Sequence, residues 1–544
     1  MLAFRALEMH GQRMWERDRV LHTLAFMKRN GLSALVLHES DLVHQIVYPR
    51  KYFDPYALWS DLPSRRGENA IFNRRAYFDH LLKLARDSGI DVWVNVKEIG
   101  FSDEVFAIHP EIFKDGAICP SEPFWTEYVA AKADELFADF PLLAGMIVSF
   151  GSQESRASRV QNRCRCELCR AESLESWYSR MIDTLHAPIA RHGKTLAVRD
   201  FAYKPQDHEP LIAAVDRSPL DVVFCIKAMP HDFYVTFPDN PAIGRLVDRR
   251  QWIEYDTMGQ FFGWGLMPCL VLDDLAERMT RWEVAGVSGA IFRIEWERIN
   301  DLDAFDTLAE VNLIAAAALA RGETVDSVGA CRAWIASCQM VTSTRFDATA
   351  EWLAGILDST LPIIRDACYI DGHVSADNSM LPRSIQRAWW GMESRDSLAV
   401  WDRSRGDDLT LDREKLDRYL RQKDDALSAA RALVTRLQEL AADVEPVIKA
   451  WVETQFRHYA YWVEGLRLCA RACLYSRWLA TGPASAEDRD AFVATIEALE
   501  GYAASGDEIA NDSRIPHQVT MLVDPKRAMD IVREARTQLG EATA

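Results

Sequence analysis

The first 320 residues alternate short apolar runs with amphipathic stretches, and this alternation is the feature that most restricts the fold. The runs are rich in β-branched and aromatic residues and are often continuous, as in strands that a parallel sheet buries on both faces. The candidate strands are Leu32–Leu37, Asp91–Val96, Gly145–Phe150, Thr195–Val198, Asp221–Ile226, Gln251–Tyr255, Met267–Leu272 and Ala290–Ile294.

The stretches between several of these runs have the spacing of amphipathic helices. Asn73–Ser88 is followed by Gly89, a suitable C-cap, and Ser173–Arg191 and Asp274–Ala285 are similar. Eight strands with helices between them predict an α/β fold, a (β/α)8 TIM barrel. The alternative is an open doubly wound sheet, which is disfavoured because no G-x-G-x-x-G fingerprint follows any of the runs.

The pattern changes after about Asp326, where strand-like runs almost vanish. Leu411–Val444 is long, amphipathic and rich in charge, and Trp451–Leu479 carries large apolar residues at helical spacing. We interpret these apolar stripes as packing surfaces. The sequence therefore predicts a catalytic barrel over residues 1–325 and an all-α C-terminal domain over residues 326–544.

Composition excludes several classes of function. The net charge is −18 and no dense Lys/Arg run occurs, which disfavours nucleic-acid binding. No apolar run is long enough for a membrane span, and the N-terminus lacks the features of a secretory signal. Most of the 11 cysteines lie in apolar stretches, as in reduced thiols. We expect a cytoplasmic protein without a cofactor, in which the helical domain offers a surface for a homodimer.

The active site of such a barrel forms where the strands end at their carboxyl side. The residues at these ends combine carboxylates, cations and aromatic rings, and this mixture suits a small carbohydrate. We expect substrate-binding side chains at His38, Glu39, Lys97, Arg199, Lys227, His231, Tyr255, Trp264, Arg293, Glu295 and Trp296. Hydrolysis of a glycoside needs one carboxylic acid to protonate the leaving oxygen and a second carboxylate to activate water or to attack.

Three segments, Arg199–Tyr203, Lys227–Phe233 and Gln251–Tyr255, follow one another along the predicted strands. They resemble an Arg-x-Phe-x-Tyr strand, a Lys-x-Gly-Pro-Ile-Asp-Phe segment and a strand with a catalytic Glu in glycoside hydrolase family 67, the α-glucuronidases. Ser152–Glu154 is similar to a degenerate form of the family's Ser-Glu-Gly loop. The resemblance covers roughly residues 20–320 and, more loosely, the helical region. It implies a barrel followed by a helical domain.

The resemblance also implies roles for individual residues. Glu154 would be the general acid, and Asp232 and Glu254 together would be the base of an inverting mechanism. Arg199 and Lys227 match basic residues that lie near the uronic carboxylate in the family, and both types of side chain suit such a group. The alternative for these two cations is an ion pair with the site carboxylates.

This sequence departs from the family in several places. Met229 and His231 replace the Gly and the Ile of the Lys-x-Gly-Pro-Ile-Asp-Phe segment, and we expect no counterpart of the family's N-terminal domain. The identity of the sugar and its linkage therefore stay open. Two other classes of function also stay open. One is a non-catalytic sugar-binding barrel, and the other is a lyase or metal-dependent isomerase of sugar acids.

Cys164, Cys166 and Cys169 form the sharpest local cluster in the chain. Their C-x-C-x2-C spacing is compatible with a zinc site if a fourth ligand joins them, but no other Cys or His lies within fifteen residues. A disulfide, or a loop of free thiols that shapes the segment after the acid loop, are the alternatives. We expect no metal in the active site. The absence of G-x-S-x-G, Walker and His-Glu-x-x-His motifs disfavours serine hydrolases, NTPases and zincins.

Overall fold

A computed structural model gives the fold of the chain. It describes residues 1–38, 42–53, 71–151, 155–160, 163–295, 302–338, 344–395, 397–402, 404, 409–439, 444–510 and 515–540.

Eight parallel strands close into a barrel, which confirms the predicted (β/α)8 architecture. The strands of the described residues are, in chain order, β1 (Phe4–Met9), β2 (Ala34–Leu37), β3 (Asp91–Lys97), β4 (Phe113–Lys114), β5 (Ala117–Ile118), β6 (Leu143–Ser149), β7 (Thr195–Arg199), β8 (Val223–Lys227), β9 (Gln251–Asp256), β10 (Gly289–Arg293), β11 (Tyr369–Ile370) and β12 (His373–Val374). The barrel order is β1-β10-β9-β8-β7-β6-β3-β2, while β4–β5 and β11–β12 are short antiparallel hairpins.

Helices surround the barrel and make up most of the C-terminal region. Those of the first part are α1 (Arg17–Arg29), α2 (Leu42–Ile46), α3 (Arg50–Phe53), α4 (Ile71–Asp87), α5 (Glu104–Ile108), α6 (Phe124–Asp139), α7 (Glu167–Ala171), α8 (Leu174–Arg191), α9 (Pro205–Arg217), α10 (Leu272–Val284) and α11 (Ala309–Ala320). Those of the second part are α12 (Ser327–Cys338), α13 (Phe346–Leu357), α14 (Thr360–Cys368), α15 (Ile385–Trp390), α16 (Leu398–Trp401), α17 (Arg413–Glu439), α18 (Pro446–Thr481), α19 (Ala486–Ala510), α20 (His517–Leu522) and α21 (Pro525–Gln538).

Two strand predictions need correction. The first barrel strand is Phe4–Met9, so the run that ends before His38 is the second strand. Met267–Leu272 was predicted as a strand and is instead a buried loop that leads into α10. Pro268 interrupts this run and has no backbone N–H to donate to a strand ladder. Side chains of later helices form hydrogen bonds with the backbone of the loop instead. Asn312 accepts from the Val271 amide at 3.0 Å.

The C-terminal region is helical, as predicted, apart from the β11–β12 hairpin. Its longest helix, α18, packs against both α17 and α19 through buried apolar faces. The core of the barrel's outer layer continues into these helices, since one cluster of buried apolar residues extends from Leu7 to Ala535. Among the described residues, no helix is both long and apolar enough to cross a bilayer.

Candidate active site

The barrel interior has an apolar floor with a polar layer above it. Side chains two positions apart on a strand face the same way, so the residue two places after each floor residue also points inward. The floor residues are Ala6, Val36, Trp93, Ile147, Ala197, Cys225, Trp252 and Ile291. The polar layer is Glu8, His38, Asn95, Ser149, Arg199, Lys227, Glu254 and Arg293, all of them buried. Every barrel strand thus supplies one polar group near its carboxyl end.

One side of this layer is a chain of hydrogen bonds. His38 Nδ1 lies 3.1 Å from Glu8 Oε1 and 3.2 Å from Asn95 Nδ2. Ser149 Oγ donates to Asn95 Oδ1 at 3.0 Å, and Arg199 donates to Ser149 Oγ at 3.4 Å. Since these side chains come from consecutive strands of the barrel, the network fixes their positions relative to one another.

Ion pairs complete the circuit on the opposite side. Arg199 donates to both oxygens of Glu254, with Nη2 2.8 Å from Oε1. Arg293 Nε lies 3.9 Å from Glu254 Oε1 and 3.4 Å from Glu8 Oε1. Such a two-pronged guanidinium–carboxylate pair is strong and directional. Arg199 therefore holds Glu254. This is the ion pair with a site carboxylate that the sequence analysis gave as the alternative role of Arg199.

Lys227 and Asp232 form a second ion pair at the edge of the layer. Lys227 Nζ donates to Asp232 Oδ1 and to the His231 carbonyl oxygen, each at 2.7 Å. The ammonium group also lies 3.9 Å from the centre of the Phe201 ring. Lys227 is 2% exposed whereas Asp232 is 16% exposed, so the carboxylate is the member of the pair that solvent reaches.

The turn that carries Asp232 has an unusual backbone. His231 adopts a φ of +65°, in the left-handed region that residues with a Cβ rarely occupy. Its ring is buried, with Nε2 3.7 Å from Asp232 Oδ2. The Lys227 ammonium bonds the carbonyl oxygen of this residue, so the lysine holds both the strained turn and the carboxylate that follows it.

Two histidines lie stacked at the mouth of the barrel. The rings of His10 and His38 are 3.9 Å apart and nearly parallel. Burial lowers the pKa of His38 well below its usual value, and Lys97 and Arg199 lower it further. The pKa of His10 is lowered by burial first and then by its charged neighbours, including Arg293. Both imidazoles are therefore neutral near pH 7, and the local potential is positive.

Glu8, His10 and His38 bring their ligand atoms within 4.8 Å of one another, which is close enough for a metal ion. The surroundings do not suit a cation, however. Arg293 already donates to His10 Nδ1, and Lys97 raises the positive potential at both histidines. A divalent ion at this position would be repelled by these groups. The same groups favour an anionic ligand.

Three buried polar atoms of this layer have no hydrogen-bond partner among the described residues, namely Glu8 Oε2, His38 Nε2 and Arg293 Nε. Buried polar atoms in native proteins are nearly always hydrogen-bonded. An acceptor on Glu8 beside an imidazole nitrogen is therefore suited to the hydroxyl groups of a polar ligand.

Glu295 lies just after β10 and is also buried. Burial raises its pKa to about 8, and the Asp303 carboxylate contributes to the rise. Asp303 in turn has a pKa of about 7, raised by its own burial. Glu295 is thus a neutral carboxylic acid near pH 7 and can donate a hydrogen bond.

Two predicted binding residues are engaged by other parts of the protein. Tyr255 follows Glu254 on β9 and so faces outward, where its hydroxyl donates to Asp274 on α10 at 2.9 Å. Trp264 is fully buried in the loop after β9, and its indole donates to the Gln260 carbonyl oxygen at 3.0 Å.

Three predicted site residues, Glu39, Glu154 and Trp296, lie outside the described residues. The residues that flank Glu154 are described. Gly151 has a φ of +81°, and a Cβ there would lie 2.4 Å from the Phe201 carbonyl oxygen. Ser155 donates to the Ile99 carbonyl oxygen at 3.3 Å. Both flanks therefore lie against the loops after neighbouring strands.

The structure adds Glu8, His10, Asn95 and Ser149 to the candidate site. Glu8 and His10 escaped the sequence analysis because their strand was not recognised. Asn95 and Ser149 each lie one residue before the end of a correctly predicted strand, Asp91–Val96 and Gly145–Phe150, and were not predicted as site residues. Their polar character inside an otherwise apolar run is the signal that could have identified them.

The fold can be compared with known structures. A GH138 enzyme that targets the pectin rhamnogalacturonan II matches 94% of this chain and 62% of its own, with a TM-score of 0.60 at 12% sequence identity. The chain shares its fold with this enzyme. It spans less than two thirds of that enzyme's length. No protein-family model and no curated protein sequence matches the chain.

More distant likenesses also involve glycosidases. A β-N-acetylhexosaminidase from Bacteroides fragilis matches 58% of this chain and 65% of its own, with a TM-score of 0.36 at 12% identity. A GH20 exo-β-N-acetylglucosaminidase from Vibrio harveyi matches 58% of this chain and 54% of its own, with a TM-score of 0.37 at 10% identity. TM-scores this low do not establish a shared fold. None of these matches is to family 67.

Proposed function

We propose that the chain is a glycoside hydrolase that acts at the carboxyl ends of the barrel strands on a short oligosaccharide or uronide. The observation that carries the proposal is the closed polar layer, with the partly exposed Asp232 at its edge. A hydrolase with this fold needs an acid and a base on either side of the scissile bond. The layer supplies carboxylates whose positions are fixed by cations.

Asp232 is the better candidate for the base. Both oxygens of Glu254 accept from Arg199, so Glu254 has little capacity left to accept a proton from water. Asp232 has one oxygen bonded to Lys227, and its side chain reaches solvent. The adjacent ammonium group favours the ionised carboxylate. We assign Glu254 a positioning role, in which it orients Arg199 and Arg293.

Glu154 remains the proposed general acid, and the reaction inverts the anomeric configuration. In this mechanism Glu154 protonates the leaving oxygen while Asp232 removes a proton from the attacking water on the other face of the sugar. A water must fit between base and sugar, which requires acid and base carboxyls about 6.5–9.5 Å apart. The carry-over from the α-glucuronidases supports this assignment.

An acidic sugar fits the electrostatics of the mouth. Lys97, Arg199 and Arg293 lower the pKa values of His10 and His38, which shows a positive potential there in a chain of net charge −18. After burial, Lys97 is the group that most lowers the pKa of His38, so we assign recognition of a substrate carboxylate to Lys97. Neutral His10 and His38 then bind the sugar hydroxyls.

A panel of aryl glycosides tests the proposal. The full chain is incubated with 4-nitrophenyl α- and β-glucuronides and galacturonides and with the matching neutral glucosides and galactosides. We expect hydrolysis of at least one uronide, and a loss of about 10²–10⁴-fold in kcat for Asp232→Asn, the range for one general base. Binding of the uronide, measured by calorimetry, should persist in that variant.

Asp377→Asn is the matched control, because Asp377 is 14% exposed and ion-paired with Arg383 in the helical region. It should retain wild-type kcat. Uronide binding without turnover by the wild-type chain would instead identify a non-catalytic sugar-binding barrel. Equal kcat for Asp232→Asn and the wild type would remove Asp232 from the mechanism.

A further inference from the structure

Four cysteines from two separate parts of the chain meet beside the barrel. Cys119 directly follows the β4–β5 hairpin, whereas Cys164, Cys166 and Cys169 belong to the segment that follows β6 and includes α7. Cys119 Sγ lies 3.5 Å from the sulfurs of both Cys166 and Cys169. All four sulfurs lie within 4.8 Å of one another.

These distances fit one tetrahedral ion. Zinc–thiolate bonds of about 2.3 Å place the sulfurs of a tetrathiolate site about 3.8 Å apart. A disulfide would require sulfurs about 2.05 Å apart, and none of these four cysteines is in a disulfide. A tetrahedral set of four sulfurs is typical of zinc or iron, and four sulfurs this close surround a single ion.

We propose that Cys119, Cys164, Cys166 and Cys169 bind one structural zinc ion that joins the segment after β6 to the β4–β5 hairpin. Cys119 is the fourth ligand that the C-x-C-x2-C cluster lacks in its own part of the sequence. Binding replaces four thiol protons with one Zn²⁺, and the protons are released to solvent. With four protein ligands the site is closed, as in structural rather than catalytic zinc centres.

The backbone around Cys119 is fixed independently of the metal. The indole of Trp125 on α6 donates to the Cys119 carbonyl oxygen at 2.9 Å, and the indole of Trp177 on α8 donates to the Pro120 carbonyl oxygen at 3.0 Å. Cys119, Cys164 and Cys169 are buried, and Cys166 is partly exposed. Three ligands are thus shielded from solvent and one side remains through which an ion can enter.

Positive charge close to the sulfurs suits a tetrathiolate site. Zn²⁺ with four thiolates carries a net charge of −2 (two positive and four negative charges). Lys114 of the β4–β5 hairpin lies near enough to interact electrostatically with the sulfurs of Cys119 and Cys166. In the sequence, Arg163, Arg165 and Arg170 flank the ligands and outnumber the single carboxylate among them, Glu167. These groups offset the charge of the proposed centre.

Metal analysis tests the site directly. The full chain, purified without chelators or added metal, should contain one zinc per chain by inductively coupled plasma mass spectrometry. Cys119→Ser and Cys166→Ser should each fall to below about a tenth of that content, because three thiolates bind structural zinc far more weakly than four. Cys338→Ser is the matched control, since Cys338 is a partly buried cysteine on α12. It should keep the full content.

Two further measurements keep the proposal testable if the serine variants fold poorly. Cys119→His offers another zinc ligand and should keep the metal, and Co²⁺ added to the chelator-treated wild-type chain should give the intense visible absorption of a tetrahedral thiolate complex. A thiol assay on the denatured, chelator-treated chain should find all 11 cysteines reduced. Wild-type protein without zinc that fails to bind Co²⁺, or a thiol count lower by two or four, would overturn the proposal in favour of free thiols or disulfides.

Discussion

The two lysines at the barrel mouth have different neighbours, so we expect their replacement to change activity in different ways. Lys227 bonds Asp232, and Lys97 acts on the stacked histidines. Lys227→Met should lower kcat on a uronide and on the matching neutral glycoside by the same factor, because it removes the partner of the proposed base. Lys97→Met should raise KM for the uronide about 10-fold or more while sparing the neutral glycoside. Steady-state kinetics on the matched pair measure both effects.

The reverse pattern would change the assignment. A uronide-specific loss in Lys227→Met would place the substrate carboxylate at Lys227, as the resemblance to the α-glucuronidases implies. The same loss on both substrates in Lys97→Met would make Lys97 a support for the histidines only.

Glu295 should make stability depend on pH. Its pKa is about 8 in the folded chain against a usual value of 4.5, so between these values the folded state holds a proton that the unfolded state has released. The free energy of unfolding therefore falls as the pH rises through this window. Glu295→Gln keeps the neutral form and removes this penalty. Its Tm should exceed that of the wild type more at about pH 8 than at about pH 4.5.

The exposed Glu283 on α10 supplies the control for this experiment. Glu283→Gln should shift Tm by the same amount at every pH between these limits. If the difference between Glu295→Gln and the wild type is also independent of pH, Glu295 is ionised in the folded chain and its assignment as a hydrogen-bond donor fails.

At the scale of elements, the Asn312 side chain holds the loop over residues 267–271 at two points, beside a single bond from Thr360. Asn312 on α11 accepts from the Val271 amide at 3.0 Å and donates to the Cys269 carbonyl oxygen at 2.8 Å. Asn312→Ala should lower the free energy of unfolding by about 2–5 kcal/mol, because it strands buried backbone groups. Denaturant unfolding measures this cost. Asn30→Ala, which removes a single bond at a partly exposed helix end, should cost about 1 kcal/mol or less.

The same loop shows where the sequence misled us. The run over residues 267–271 is apolar because α11 and α14 cover it, and burial of a loop cannot be distinguished from burial of a strand by composition alone. Phe4–Met9 was missed for the opposite reason, since Arg5 and Glu8 interrupt its apolar pattern. Seven of the eight strand predictions match barrel strands, so the count of eight was right although one member was wrong.

The candidate site was partly predictable from the sequence. Residues at strand ends were identified because the barrel places its site there, and Arg199, Lys227, Glu254 and Arg293 do lie in the polar layer. The partners of each residue were beyond the sequence, because Glu8 and Arg293 meet across the closure of the barrel. The sequence also does not tell whether solvent reaches Asp232 or Glu254, because their exposure is set by the folded chain.

At the scale of the whole molecule, the proposed zinc centre and the proposed chemistry are coupled through one segment. Ser152–Glu154 and the three clustered cysteines lie between β6 and α8. If the zinc centre holds this segment, removal of the metal by a chelator should lower kcat on the uronide, and added Zn²⁺ should restore it. The KM for the uronide should change little. If a sample that mass spectrometry shows to be free of zinc keeps its kcat, the metal has no role in catalysis. The proposed metal site itself would still stand.

The central claim is that Asp232 activates water at the barrel mouth opposite Glu154, and proton NMR of the first-formed product tests it most directly. The full chain and its Asp232→Asn variant are each mixed with a uronide that the wild type hydrolyses, and the anomeric proton of the released sugar is followed before mutarotation. We expect the wild-type product to appear first with inverted configuration, and the variant to release at least about 10²-fold less sugar in the same time. A first product with retained configuration, or sugar released by Asp232→Asn at the wild-type rate, would contradict it.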